Sequence, residues 1–110
     1  MRNSKLFLRD ILDAMDAIES FVGDMDLGTF VKDDKTSSAV IRKFEIIGEA
    51  ARNIPDDMRR KHPQVPWQEM AGLRNILIHA YFGIKHDLVW RTIKDVLPRV
   101  KPLIESILKP

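Results

Sequence analysis

The sequence contains no cysteine, which removes disulfide frames and thiolate metal sites, and with them zinc-finger and redox readings. No apolar run approaches the roughly 20 residues of a membrane span. The first ten residues mix charge with apolar groups and do not form a signal peptide, so the expected setting is cytoplasmic, away from the membrane. Strand signals are nearly missing as well, because β-branched alternation never runs far and the long apolar patterns keep a helical step. What is present is a chain of 110 residues, 45% hydrophobic and 31% charged. That composition predicts one globular domain over residues 1–110, large enough to bury a core without staples.

The net charge of +2 conceals an asymmetry. Residues 1–50 carry seven Lys/Arg against ten Asp/Glu, whereas residues 51–110 carry eleven against six. A basic C-terminal half is compatible with a polyanion such as RNA, with an acidic protein partner, or with one half of the domain complementing the other.

The fold class read from the pattern is all-α, an up-and-down bundle of four to five helices with short loops. A first amphipathic helix starts at Ser4 as N-cap, runs through Leu8, Ile11, Leu12, Met15, Ile18 and Val22, and closes near Gly23. Residues 24–38 read as a connector with room for one helical turn around Gly28–Val31. A second long helix spans about Ser37 to Asn53, with Val40, Ile41, Phe44, Ile47 and Ala51 on one face. Gly48 inside it costs about 1 kcal/mol relative to Ala, which implies the close approach of a neighbouring helix. Pro55 ends this helix, Asp56–Lys61 forms a short turn, and the Pro63 and Pro66 pair enforces an extended link. Trp67 opens a helix expected to reach Phe82 before Gly83. A last helix begins near Asp87, with a kink or a restart at Pro98 and a further interruption at Pro102.

Of the three histidines, His62 and His86 read as surface residues, one in a proline-bounded loop and one at a helix start. His79 differs, because it lies in the apolar run 73–82 together with Arg74, Asn75 and Tyr81, the single tyrosine of the chain. Polar groups in so apolar a segment need partners, since burying an unpaired charge costs several kcal/mol. At about 100° per residue, Asn75 and His79 share a face and Arg74 nearly eclipses Tyr81, but Arg74 and His79 stand about 140° apart. Either the helix end distorts before Gly83, or a second copy of the chain supplies the complementary group across a symmetric dimer. As a structural alternative, the same residues form a polar layer that sets helix register. Glu45 and Glu49 share a face with no histidine at ligand spacing, so no metal site and no cofactor is expected.

The ordered set Arg74, His79, Tyr81 resembles the R-x4-H-x-Y signature of HepT-like toxins, small helical ribonucleases of the HEPN superfamily. Ile46-Ile47-Gly48-Glu49-Ala50-Ala51, Val65-Pro66-Trp67 and Asp87-Leu88-Val89-Trp90 extend the resemblance from about residue 5 to the end.

The resemblance implies a HEPN-like homodimeric toxin of a type VII-like toxin–antitoxin pair, cutting RNA without metal. Its partner would be a minimal nucleotidyltransferase antitoxin that attaches AMP to Tyr81, and neither DNA nor membrane is an expected partner. RNA carries its own nucleophile, the 2′-hydroxyl, so the enzyme need only move protons and stabilise phosphate charge. His79 suits the proton transfers, Arg74 holds the phosphate through its planar fork, and Asn75 orients the imidazole or donates to a phosphate oxygen. The basic cluster Arg52, Arg59, Arg60 and Lys61 reads either as RNA steering or as a solvated loop. The alternative function is a non-catalytic helical module that holds a nucleotide or docks the nucleotidyltransferase.

Overall fold

In a computed structural model, residues 3–73 and 86–109 are described, and every regular element among them is helical. The elements are α1 (Ser4–Val22), α2 (Leu27–Lys32), α3 (Asp34–Arg52), α4 (Asp56–Lys61), α5 (Trp67–Ala71), α6 (His86–Arg91), a π-helical turn at Thr92–Val96, and α7 (Leu97–Leu108). No helix among the described residues is long and apolar enough to cross a membrane.

Helix α1 starts at Ser4, but its cap is Asn3, whose side-chain oxygen accepts from the Lys5 amide at 2.8 Å. The sequence-based N-cap is therefore one residue late. At the other end, Gly23 takes φ 52° and donates its amide to Glu19 O. A positive φ of this kind strains a residue bearing a Cβ, so the predicted stop falls where the backbone needs glycine.

The connector holds more structure than its breakers suggest. Asp26 caps α2 by accepting the Thr29 amide at 2.8 Å. Asp33 then starts α3 three residues ahead of the predicted position, accepting from both the amide (3.0 Å) and the hydroxyl (2.7 Å) of Thr36. Both aspartates are N-caps, which satisfy amides that the first helical turn leaves without partners. These bonds hold both carboxyls below the ordinary aspartate range: for Asp26 the Thr29 amide leads, and for Asp33 the Thr36 amide.

Helices α1 and α3 form the main packing pair, and α7 lies against α1. One continuous core collects Leu8, Ile11, Met15 and Ile18 from α1, Val40, Phe44 and Ile47 from α3, Met70 from α5, and Val100 and Ile104 from α7. Burial of each such large side chain contributes about 1.5–3 kcal/mol. Gly48 is buried within α3. On the outer rim, Lys101 of α7 bridges to Asp16 (2.7 Å) and Glu19 (3.1 Å) of α1, and these bonds raise its pKa.

The short helix α2 is pinned by Phe30, which is fully buried. Its ring lies 5.2 Å from that of Trp90 and 6.3 Å, edge-on, from that of His86, both on α6. The Lys94 ammonium stands over the Trp90 ring, 4.8 Å from its centroid.

Both prolines of the last helix are accommodated without a break. Pro98 has no amide and its ring crowds the carbonyl four residues back, that of Lys94. The chain widens ahead of it: Leu97 N–H bonds to Thr92 O, five residues back, and α7 begins with Pro98 in its first turn. The anticipated restart therefore takes the form of a π turn. Pro102 sits inside α7, which runs on to Leu108.

Candidate functional site

The motif residues Arg74, Asn75, His79 and Tyr81 lie outside the described residues, as do the proposed helix end at Phe82 and Gly83. The structure describes the frame on either side of them. On the N-terminal side, α5 lies against α3 and buries Trp67 and Met70, with Leu73 also buried directly before Arg74. The Trp67 indole donates to His62 O at 3.0 Å, which latches the proline-bounded loop to the start of α5. Trp67 is thus a core anchor. Within the described part the helix from Trp67 is interrupted at Gly72 and helical again at Leu73, and the rest of its expected span, to Phe82, lies outside the described residues. Regular α-helix stops at Ala71 and Gly72 forms a turn, in keeping with the poor helix propensity of glycine.

On the C-terminal side, His86 opens α6 and meets Phe30 edge-on. It is half-buried, not simply a surface group. Between the two flanks lies an open groove of about 360 Å³, lined by Glu69 and Leu73 on one side and by Leu88, Arg91, Thr92 and Asp95 on the other. Thr92 is buried, and its hydroxyl donates to Leu88 O at 2.8 Å.

The basic cluster divides into two kinds of residue. Arg59 turns inward: its Nε donates to Ile54 O at 3.1 Å, and Nη2 donates to Ala51 O at 3.0 Å and Arg52 O at 3.2 Å. Ala51 O and Arg52 O belong to the last turn of α3 and Ile54 O lies just past it, so this guanidinium gathers the carbonyls at the end of the helix and ties α4 to it. Arg60 and Lys61, by contrast, are exposed in the last turn of α4. Arg52 is exposed and reaches Glu49 at 3.9 Å. Spacing along the chain cannot separate these roles, because Arg59 and Arg60 are neighbours in one short helix.

Glu49 also meets Asn53, whose Nδ2 donates to Glu49 O at 2.8 Å and approaches Oε1 at 3.5 Å. Next to it on α3, Arg42 pairs with Glu45 at 2.9 Å.

The chain matches the family model described as ribonuclease HepT-like over residues 11–107. It is 46% identical over 108 residues to a Thermococcus cleftensis protein named "Probable ribonuclease HepT", covering 98% of each chain. A Methanocaldococcus jannaschii protein provisionally named an RNase is 47% identical over 106 residues, covering 96% of this chain and 97% of its own. One from Caldanaerobacter subterraneus, also provisionally named an RNase, is 38% identical over 109 residues, with 99% and 97% covered. No solved structure gives a significant match.

Proposed function

Because the chain belongs to the ribonuclease HepT-like family, we propose that it is a metal-independent endoribonuclease whose reacting groups are Arg74 and His79, with Asn75 beside them. The observation that carries this reading is the polar set Arg74, Asn75, His79 and Tyr81 inside an apolar run, within the residues that the family match covers. His79 takes the proton of the RNA 2′-hydroxyl, whose oxygen attacks the adjacent phosphorus. A proton returns to the leaving 5′-oxygen, and the products are a cyclic phosphate end and a free 5′-hydroxyl. Arg74 holds the non-bridging phosphate oxygens as negative charge gathers on them.

The two groups are splayed by about 140° on a straight helix. We therefore take the active form to be a homodimer of one-domain, HEPN-like helical bundles, in which each cleft draws Arg74 and His79 from different copies. Tyr81 is the regulated position. Its oxygen attacks the α-phosphorus of ATP on a minimal nucleotidyltransferase antitoxin, pyrophosphate leaves, and the phenolic proton passes to solvent. The added phosphate then occupies the anion site beside Arg74, so that toxicity is silenced in a toxin–antitoxin pair acting in the cytoplasm. Arg60 and Lys61, with Arg52, steer the RNA backbone, and Arg59 serves mainly to hold α4.

The test is RNA cleavage in the presence of a chelator. Wild type cleaves, and His79→Ala abolishes cleavage while helicity and association state stay unchanged. Unchanged cleavage by His79→Ala removes the assignment, and tight nucleotidyltransferase binding without cleavage of any RNA pool favours the binding-module reading. Peptide mapping after incubation with the transferase and ATP locates the AMP, and label on a residue other than Tyr81 contradicts the modification claim.

A further inference from the structure

Ile46 stands at the centre of an outward stripe of α3. Arg42, Ile46, Glu49 and Asn53 recur at steps of four, three and four residues, which places them within about 60° of one another around the helix. Ile46 is half-buried against the core and has a groove on each side. One groove, about 260 Å³, runs along α3 between Arg42, Glu45 and Glu49. The other, about 180 Å³, lies between α1 and α3 and is lined by Asp10, Asp13, Ala14 and Lys43. A single apolar side chain set among charges and bordered by shallow grooves is a surface that can meet its own twofold copy.

The charge pattern is self-complementary in the same sense. Arg42 and Glu49 lie on either side of Ile46, and their side chains are 65% and 57% exposed. If α3 crosses its copy antiparallel about an axis near Ile46, Arg42 of each chain comes opposite Glu49 of the partner subunit, about 5 Å along the helix from the axis. A parallel crossing in register would instead set like charges face to face.

We infer that this face of α3, centred on Ile46, is the surface on which a second copy of the chain docks, with Arg42 and Glu49 paired reciprocally across the twofold axis. The inference rests on the two-copy reading above and names the surface that serves it. Arg42 keeps its hydrogen bond to Glu45 and Glu49 its ion-pair neighbour Arg52 at the rim.

Sedimentation velocity over a concentration series tests it on wild type, Arg42→Glu, Glu49→Arg, the doubly substituted chain and a one-to-one mixture of the two single variants. Circular dichroism checks that each remains helical. Wild type is expected to sediment as a dimer, and each single variant to associate about tenfold or more weakly, because both pairs then juxtapose like charges. The double variant and the mixture regain association, since every reversed charge then faces an opposite one across the axis. If wild type dimerises and the single variants match it, the face is wrong while the two-copy reading stands. Should the singles weaken with no recovery in the mixture or the double variant, the two residues act otherwise than on each other, and the inference fails. A monomeric wild type at all concentrations overturns both the face and the two-copy reading.

Discussion

Arg59 and Ala51 are eight residues apart in sequence, yet the Arg59 guanidinium lies 3.0 Å from the Ala51 carbonyl oxygen at the end of α3. Two further carbonyls, those of Arg52 and Ile54, share the same group. A cation at a helix C-terminus also meets the negative end of the helix dipole. Arg59→Ala is therefore expected to destabilise the fold by about 1–3 kcal/mol, in the range for hydrogen bonds from charged donors. Arg60→Ala should stay within about 0.5 kcal/mol of wild type, as for an exposed surface position. Urea denaturation of the two variants side by side checks the contrast. In RNA binding the order reverses, with Arg60→Ala and Lys61→Ala each lowering the salt dependence of affinity by about one unit of slope.

The Asp33 carboxylate starts α3 through Thr36. Its pKa is lowered in the folded state by that amide, so the stability it supplies is present above the ordinary value of 3.8 and is lost as pH falls through the lower folded value. Asp33→Ala should lower the urea midpoint at pH 7, with the gap to wild type closing at strongly acid pH. Asp33→Asn should retain most of the cap, because the amide oxygen still accepts from the Thr36 amide.

Lys101 shows the opposite sign. Asp16 and Glu19 raise its pKa, so its contribution is complete below the ordinary value of 10.5 and disappears as pH rises through the higher folded value. Exposed pairs contribute little, and Lys101→Met should cost under about 1 kcal/mol at pH 7. Alkaline unfolding monitored by circular dichroism should show the wild type approaching the variant only above pH 10.5.

Phe30 is fully buried, and its contacts with Trp90 and His86 hold α6, which follows the motif in sequence. Phe30→Ala should destabilise by about 3–5 kcal/mol, measured by thermal or urea unfolding. Phe30→Leu should cost clearly less, because it keeps most of the apolar volume.

The long helices were legible because their apolar residues step by three and four against a charged background, and the Leu8 to Val22 series of α1 is buried as read. The starts of α1 and α3 were misplaced by one and three residues because Asn3 and Asp33 act through their side-chain oxygens, which periodicity does not register. Pro98 signalled an interruption, but the π turn that absorbs it depends on how the Lys94 carbonyl can move aside. Arg59 was grouped with its basic neighbours because charge is visible in a sequence and direction is not. For the candidate site, the residue types and their spacing were legible from chemistry and family pattern. Nothing in the pattern singles out Arg42 and Glu49, which look like ordinary solvated charges until Ile46 and its flanking grooves are seen between them.

The central claim is that each cleavage site takes its guanidinium from one copy and its imidazole from the other. It is tested most directly by cleavage of RNA, in chelator, with Arg74→Ala and His79→Ala dimers mixed and allowed to exchange subunits. Each variant alone should be inactive, and the equilibrated one-to-one mixture should recover about a quarter of wild-type activity, since half the dimers are mixed and each holds one intact site of two. A mixture that stays inactive although its subunits exchange, while wild type cleaves, would contradict the account.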